Sequence, residues 1–401
     1  MDVEQTGNIG VQRPGVLPWE DGGPDQPIVG QVDALLERFH PDTRLQLSGS
    51  PHLRLPDHIR DAAAAAVFRP GFAPTRGEPA LREAIARSLA GRGVRAETGQ
   101  VLVTDGAMHA LDLLFRSLLE PGDEVLMPAP GYFIGGLVRR AGGRLVRFPS
   151  PAADGFRPDW SAARERLSAR TRILYVNTPV NPTGYVYDEE DLRAAADLAD
   201  QAGLVLVSDE SLANFVYGGR PHLSPARAVP GAPGRVLVGS FSKDYAMSGL
   251  RVGYAVIPGP LLGQVSAMLE WSVLAVSRPA QAAALAALTG PRDWVGRMAA
   301  DGATLGAALA AEIAAIPGLT CVPPRGGLNL FPAFAGDAER LTYDLIVRFG
   351  VPVCPGSAFG GRGHFRLQFG QSGDDLRRAV RSIAAAANDD DSDGAAGHRE
   401  T

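Results

Sequence analysis

Apolar and polar positions along the chain fall into two rhythms. "GEPALREAIARSLAGRG" places apolar residues at helical spacing and stops at glycine, so it predicts an amphipathic helix. Short β-rich runs then recur: "VLVTDGA", "DEVLMPAP", "RLVRFP", "RILYVNTP", "LVLVSDE", "RVLVGSFSK" and "RVGYAVIP". Helical segments such as "DEEDLRAAADLADQAG" separate several of them. That alternation predicts an α/β domain around a mostly parallel sheet. From about Arg292 the rhythm changes. An Ala-rich helix, "DGATLGAALAAEIAAI", leads to "GLTCVPPRGGLNLFPAF", a further helix and "HFRLQFG", a pattern expected of a smaller α+β domain. Residues 1–27 are rich in Gly, Pro and Asp without periodicity and read as a flexible arm; residues 388–401 are polar and acidic and read as a disordered tail. No repeat of solenoid period is present.

Composition narrows the class. With 401 residues, 45% hydrophobic and 21% charged, the chain is long enough for one large or two ordinary domains of a globular protein. A net charge of −5 without an Arg-rich run argues against a nucleic-acid partner. Cys321 and Cys354 lie far apart and fit neither a disulfide framework nor a zinc site, so no metal is expected. The first residues lack the basic and apolar regions of a signal peptide, and no apolar run reaches the ~18 residues of a membrane helix. A cytoplasmic protein without membrane contact is the expectation.

Ligands of open α/β sheets bind where strands run out into loops. Three predicted strand ends carry polar residues: Asn181 in "NTPVNPTG", Asp209 in "LVLVSDES" and Lys243 in "GSFSKDYAMSGLRVGY". Lys243 is the only lysine; the other 38 of the 39 Lys plus Arg residues are arginine. Codon composition alone could leave such a remnant on the surface. The alternative is chemical: a guanidinium stays protonated, whereas a lysine amine can lose its proton and form a Schiff base with a carbonyl.

"SFSKDYAMSGLRVGY", with "NPTG" and "SDE" at their spacings upstream, resembles the lysine motif and landmarks of the class I/II aminotransferases, aspartate-aminotransferase-like enzymes of fold type I that use pyridoxal 5′-phosphate (PLP). The resemblance extends from "LSGSPHLRLPDHI" to "FRLQFG". It implies a large PLP-binding domain over 71–299, with a central, mostly parallel seven-stranded sheet flanked by helices. A small α+β domain would be formed from 28–70 and 300–387. It also implies that Lys243 carries PLP as an aldimine and moves the substrate α-proton, that Asp209 pairs with the pyridine nitrogen, and that Asn181 donates to the ring's phenolic oxygen. Tyr132 would stack on the ring. Ser240, Ser242, Arg251 and the backbone N–H groups of Ala107 and Met108 would hold the phosphate, the last two at a helix N-terminus. Arg366 would clamp the substrate carboxylate, with Asn181 and Gly49 lining the substrate space.

For single residues plainer readings stand beside these. Asp209 can be a strand-end cap, "NPTG" a turn, Tyr132 core, and Arg366 one arginine among many. His109 can approach the phosphate or pack within its helix. Trp271, in "LEWSVLAVS", can line a side-chain pocket or be a buried helix tryptophan.

Two positions leave the family pattern. Leu212 stands where most relatives carry a tyrosine bonded to the phenolic oxygen. Phe72 stands where a tyrosine reaches across a dimer to the phosphate. Either these are tolerated, or they mark altered cofactor electronics and substrate space. The resemblance therefore implies an aminotransferase acting on the α-amino group of an L-amino acid as a homodimer. A PLP lyase or decarboxylase, by C–S β-elimination, decarboxylative deamination or γ-elimination of S-adenosylmethionine, remains the alternative, since one scaffold serves all these exits. A PLP-binding regulator is disfavoured because the N-terminal residues lack a helix-turn-helix pattern.

Overall fold

The computed structural model describes Leu17 and residues 27–42, 54–227, 234–370 and 373–396, with side chains to 388. Seven strands form the central sheet: β1 (Val101–Thr104), β2 (Glu124–Ala129), β3 (Arg144–Pro149), β4 (Thr171–Asn177), β5 (Val205–Asp209), β6 (Arg235–Ser240) and β7 (Gly253–Val256). These are the seven runs read from the sequence. Their order is β1-β7-β6-β5-β4-β2-β3, and only β7 runs antiparallel to its neighbours. The interior strands read as continuous apolar runs because both faces are covered. Along β4, Ile173 and Tyr175 face one core cluster while Leu174 and Val176 face another.

The register places the chemistry. Asn177 at the end of β4 pairs with Asp209 at the end of β5, and Ser240 at the end of β6 pairs with Gly253 at the start of β7. Thr104, ending β1, pairs with the same Gly253. Because β7 is antiparallel, the residue pair leading into it, Arg251 and Val252, lies at the edge where the parallel strands finish. That edge is a crevice fed by five strands.

Helix boundaries follow local signals. Asp188 caps the helix Glu189–Ala202 by accepting from the N–H groups of Glu190 and Asp191, and Gly203 closes it at φ +64°. The helix Ala107–Leu118 buries Leu111, Leu114 and Phe115 beneath the sheet.

Five short strands follow: β8 (Leu319–Thr320), β9 (Asn329–Leu330), β10 (Ala333–Phe334), β11 (Val353–Pro355) and β12 (Phe365–Gln368). They form an antiparallel sheet in the order β11-β12-β9 and a β8–β10 pair. Helices Asp293–Ala314, Ala338–Val347 and Gly373–Ala396 accompany them. Leu330, Leu345, Phe365 and Leu367 share one core cluster with Leu174, Val176 and Leu206, so this unit is seated on one face of the large sheet. The segment 28–70, expected to belong to the small unit, is divided. Helix Ile28–Phe39 packs Val32 and Leu36 into that shared cluster, whereas helix Asp57–Val67 puts Ile59 against Ala283, Ala284 and Ala287 of helix Arg278–Thr289, which flanks the large sheet. The last helix continues past Asn388 to Ala396, where composition suggests a tail.

Candidate active site

The strand ends enclose a cavity of about 280 Å³ lined by Tyr132, Asn181, Asp209, Ser240, Ser242, Lys243 and Arg251, with Ala107 and Met108 at one end. These nine residues and Leu212, all singled out from sequence, thus meet in one place. Leu212, Leu328, Asn329 and Gln368 also line the cavity, with Asn177, Ser211 and Ser248.

Asp209 is 2% exposed. Its Oδ1 accepts from the backbone N–H (3.0 Å) and hydroxyl (2.6 Å) of Ser211, and its Oδ2 from the Tyr175 hydroxyl at 2.9 Å. Burial raises its pKa, and these bonds oppose the rise. Asn177 locks the neighbouring loop: its Nδ2 donates to the Asp209 carbonyl (3.0 Å) and its Oδ1 accepts from the Asn181 N–H (2.8 Å).

Lys243 follows β6 in a tight loop whose flank is pinned by Asn214, which donates to Asp244 through its backbone N–H (3.1 Å) and its amide (3.2 Å). The Lys243 amine lies 3.4 Å from Ser248 Oγ. Burial, then the charges of Arg366 and Arg251, push its pKa down to about 8. An appreciable fraction of the amine is therefore neutral near pH 7, as a nucleophile or base requires.

Arg251 adopts φ +49° and donates to Ser242 Oγ (3.2 Å) and the Ser248 carbonyl (3.0 Å). Gly106 precedes helix Ala107–Leu118 at φ +83°, with no side-chain cap on that N-terminus. A Cβ on Gly106 would stand 2.4 Å from the Arg251 guanidinium, and one on Gly253 would stand 2.8 Å from the Gly106 carbonyl carbon. Glycine at both positions lets a guanidinium, two serines and open helix N–H groups converge, a donor set suited to a phosphate.

Arg366 lies behind Asn181 on β12. It is buried, donates to Asn181 Oδ1 at 3.4 Å and to Cys354 Sγ at 3.2 Å, and packs over Phe359 with 4.9 Å to the ring centroid. Among the described residues it forms no ion pair with a carboxylate. Both cysteines are free thiols.

Other expectations resolve differently. Phe72 is 78% exposed and outside this cavity, so the role implied for it would need a second copy. Trp271 is 88% exposed, neither a pocket wall nor a buried residue in this chain. His109 is occupied within its own surroundings: Nδ1 accepts from the Asp105 N–H (3.1 Å) and Nε2 meets Ser272 Oγ (2.9 Å). Gly49 lies outside the described residues. Sequence reasoning missed Tyr175, Asn177 and Ser211. Ser211 had a signal, since a serine two residues after an aspartate suits an Asx turn; Tyr175 had none beyond an ordinary strand tyrosine.

The profile of the family described as "Aminotransferase class I and II" matches residues 47–383. The chain belongs to that family. It is 35% identical over 354 residues to a probable aspartate/prephenate aminotransferase of Aquifex aeolicus, covering 84% of this chain and 89% of that protein. It is 33% identical over 350 residues to an aspartate aminotransferase of Geobacillus stearothermophilus, with the same coverage of both. A solved aspartate aminotransferase of Thermus thermophilus with maleate superposes with a TM-score of 0.81 at 32% identity, covering 90% of this chain and 97% of that one. The fold is accordingly the fold-type-I arrangement, and this aminotransferase comes from a PLP-dependent family. These relatives are aminotransferases by name, and the elimination and decarboxylation alternatives gain no support from them. No described helix is long and apolar enough to cross a membrane.

Proposed function

We propose that the chain binds PLP in this cavity and transfers the amino group of an L-amino acid to a 2-oxo acid. The observation that carries the reading is the conjunction of a lysine amine with a depressed pKa and, beyond Asn181, a buried guanidinium without a carboxylate partner among the described residues. Bound PLP would supply an electron sink that makes the substrate's Cα proton acidic. Arg251, Ser240, Ser242 and the N–H groups of Ala107 and Met108 would hold its phosphate. Asp209 would face its ring nitrogen, Tyr132 its ring face, and the Asn181 amide its phenolic oxygen. Arg366 offers a planar two-point contact to the substrate α-carboxylate. Lys243 Nζ would accept and return the Cα proton. Leu212 presents an apolar wall, which excludes water from that exchange.

The names of the relatives make L-aspartate the first donor to try. The exposed Val67, Phe68, Phe72 and Trp271 support a homodimer. A cytoplasmic setting fits the sequence expectation. The test incubates PLP-loaded enzyme with L-aspartate and 2-oxoglutarate, then with other donors, and assays the new 2-oxo acid, glutamate, ammonia and CO₂. Equal yields of 2-oxo acid and glutamate without ammonia or CO₂ are expected. Ammonia or CO₂ in proportion to donor consumed would overturn the proposal.

A further inference from the structure

The donors that hold Asp209 are of two kinds. Ser211 sits on the same segment, two residues on, and its two bonds to Oδ1 come with the local turn. Tyr175 comes from the adjacent strand β4, is fully buried, and spends its hydroxyl on Oδ2 at 2.9 Å. A phenylalanine would fill nearly the same space, so what the tyrosine adds is this one O–H.

We propose that Tyr175 is a positioning residue whose hydroxyl fixes Asp209 in its anionic, cavity-facing form and thereby sets how firmly the protein holds a protonated pyridine nitrogen. The proposal rests on the reading of the cavity as a PLP site. Burial drives Asp209 toward the neutral acid and Glu210, the next residue in the chain, pushes the same way; Ser211 and Tyr175 oppose them. Tyr132, from the loop after β2, keeps its proton because burial lifts its pKa to about 12, and Lys243 faces the same cavity from the loop after β6. A neutral Asp209 would leave a ring nitrogen without its counter-charge, weakening both cofactor retention and electron demand. Both Ser211 bonds end on Oδ1, so the Tyr175 bond is the one that ties Oδ2 and fixes the rotation of the carboxylate.

The test compares PLP dissociation constants from pH 5 to 9 for resolved and reloaded wild type, Tyr175→Phe, Asp209→Asn and the double variant. Tyr175→Phe should weaken PLP binding about tenfold at neutral pH, the scale of one hydrogen bond to a charged group. Its acid-side loss of PLP should move to higher pH, because Asp209 then protonates earlier. In the Asp209→Asn background the same change should alter affinity less than about twofold, since the charge it supports is gone. Unchanged affinity and an unchanged acid limb in Tyr175→Phe would overturn the proposal. So would an equal loss in both backgrounds, which would mean that the tyrosine acts by packing. Wild type that takes up no PLP at any pH would instead overturn the reading of the site, and the proposal with it.

Discussion

Lys243 lines the cavity and Arg366 lies behind Asn181, close enough for its charge to act on the amine, and among the described residues neither has a carboxylate partner. Such a site spends folding stability in advance of its ligands. The folded pKa of Lys243, about 8, lies below its ordinary 10.5, so between those values the unfolded chain binds more protons and stability rises with pH. Removing the charge should therefore stabilise the ligand-free protein. Lys243→Met is expected to melt higher than wild type at pH 7, with the gap closing as pH climbs from about 8 toward 10.5; a gap independent of pH would contradict the burial argument. Lys243→Arg should fold and show no transfer, because a guanidinium cannot condense with a carbonyl. Arg366→Lys loses the planar fork and should lower kcat/KM for amino acids on the order of 100-fold, mostly through KM. An amine without a carboxylate should lose far less, and equal losses would mean that Arg366 holds something else.

At the scale of elements, the antiparallel β7 is the piece that closes the site. Gly253 begins it with three backbone groups of β1's exit and β6 within 2.9 Å of where a Cβ would stand. Gly253→Ala should cost several kcal/mol in denaturant unfolding, on the scale of other overpacked sites, and should weaken PLP binding as well; a variant that keeps wild-type PLP affinity would mean that the phosphate cradle tolerates the shift. The sheet strands were legible because those covered on both faces leave apolar runs, and the half-exposed edge strand β3 still shows a short β-rich run between turns. Lys243, Asp209 and Asn181 were legible because a lone lysine and two polar strand ends stand out against those runs. Tyr175 was not, since tyrosine is at home in any strand and its partner is set by register across a crossover. Asn329 and Gln368 escaped because their strands carry two and four residues, too few to show alternation. The packing of helix Asp57–Val67 on helix Arg278–Thr289 was not legible for a related reason: an amphipathic face announces burial, not against what.

Across the whole molecule, the small unit shares its core with one face of the large sheet, so Arg366 on β12 is brought to Asn181 by packing between units rather than by a local turn. The apolar residues left outside are concentrated in the segments around Phe68, Phe72 and Trp271, which are 88%, 78% and 88% exposed. Sedimentation should find a dimer, and Phe68→Glu with Trp271→Arg should yield monomers with weakened PLP binding; a wild-type monomer at micromolar concentration would refute that arrangement. The solitary lysine has a practical corollary. Apart from the chain's α-amino group, the only primary amine on this protein is that of Lys243, which lines the cavity. Amine-directed dyes, crosslinkers and resins should therefore react only at that terminus and at Lys243, and occupancy of the cavity can be read as protection of Lys243 from labelling.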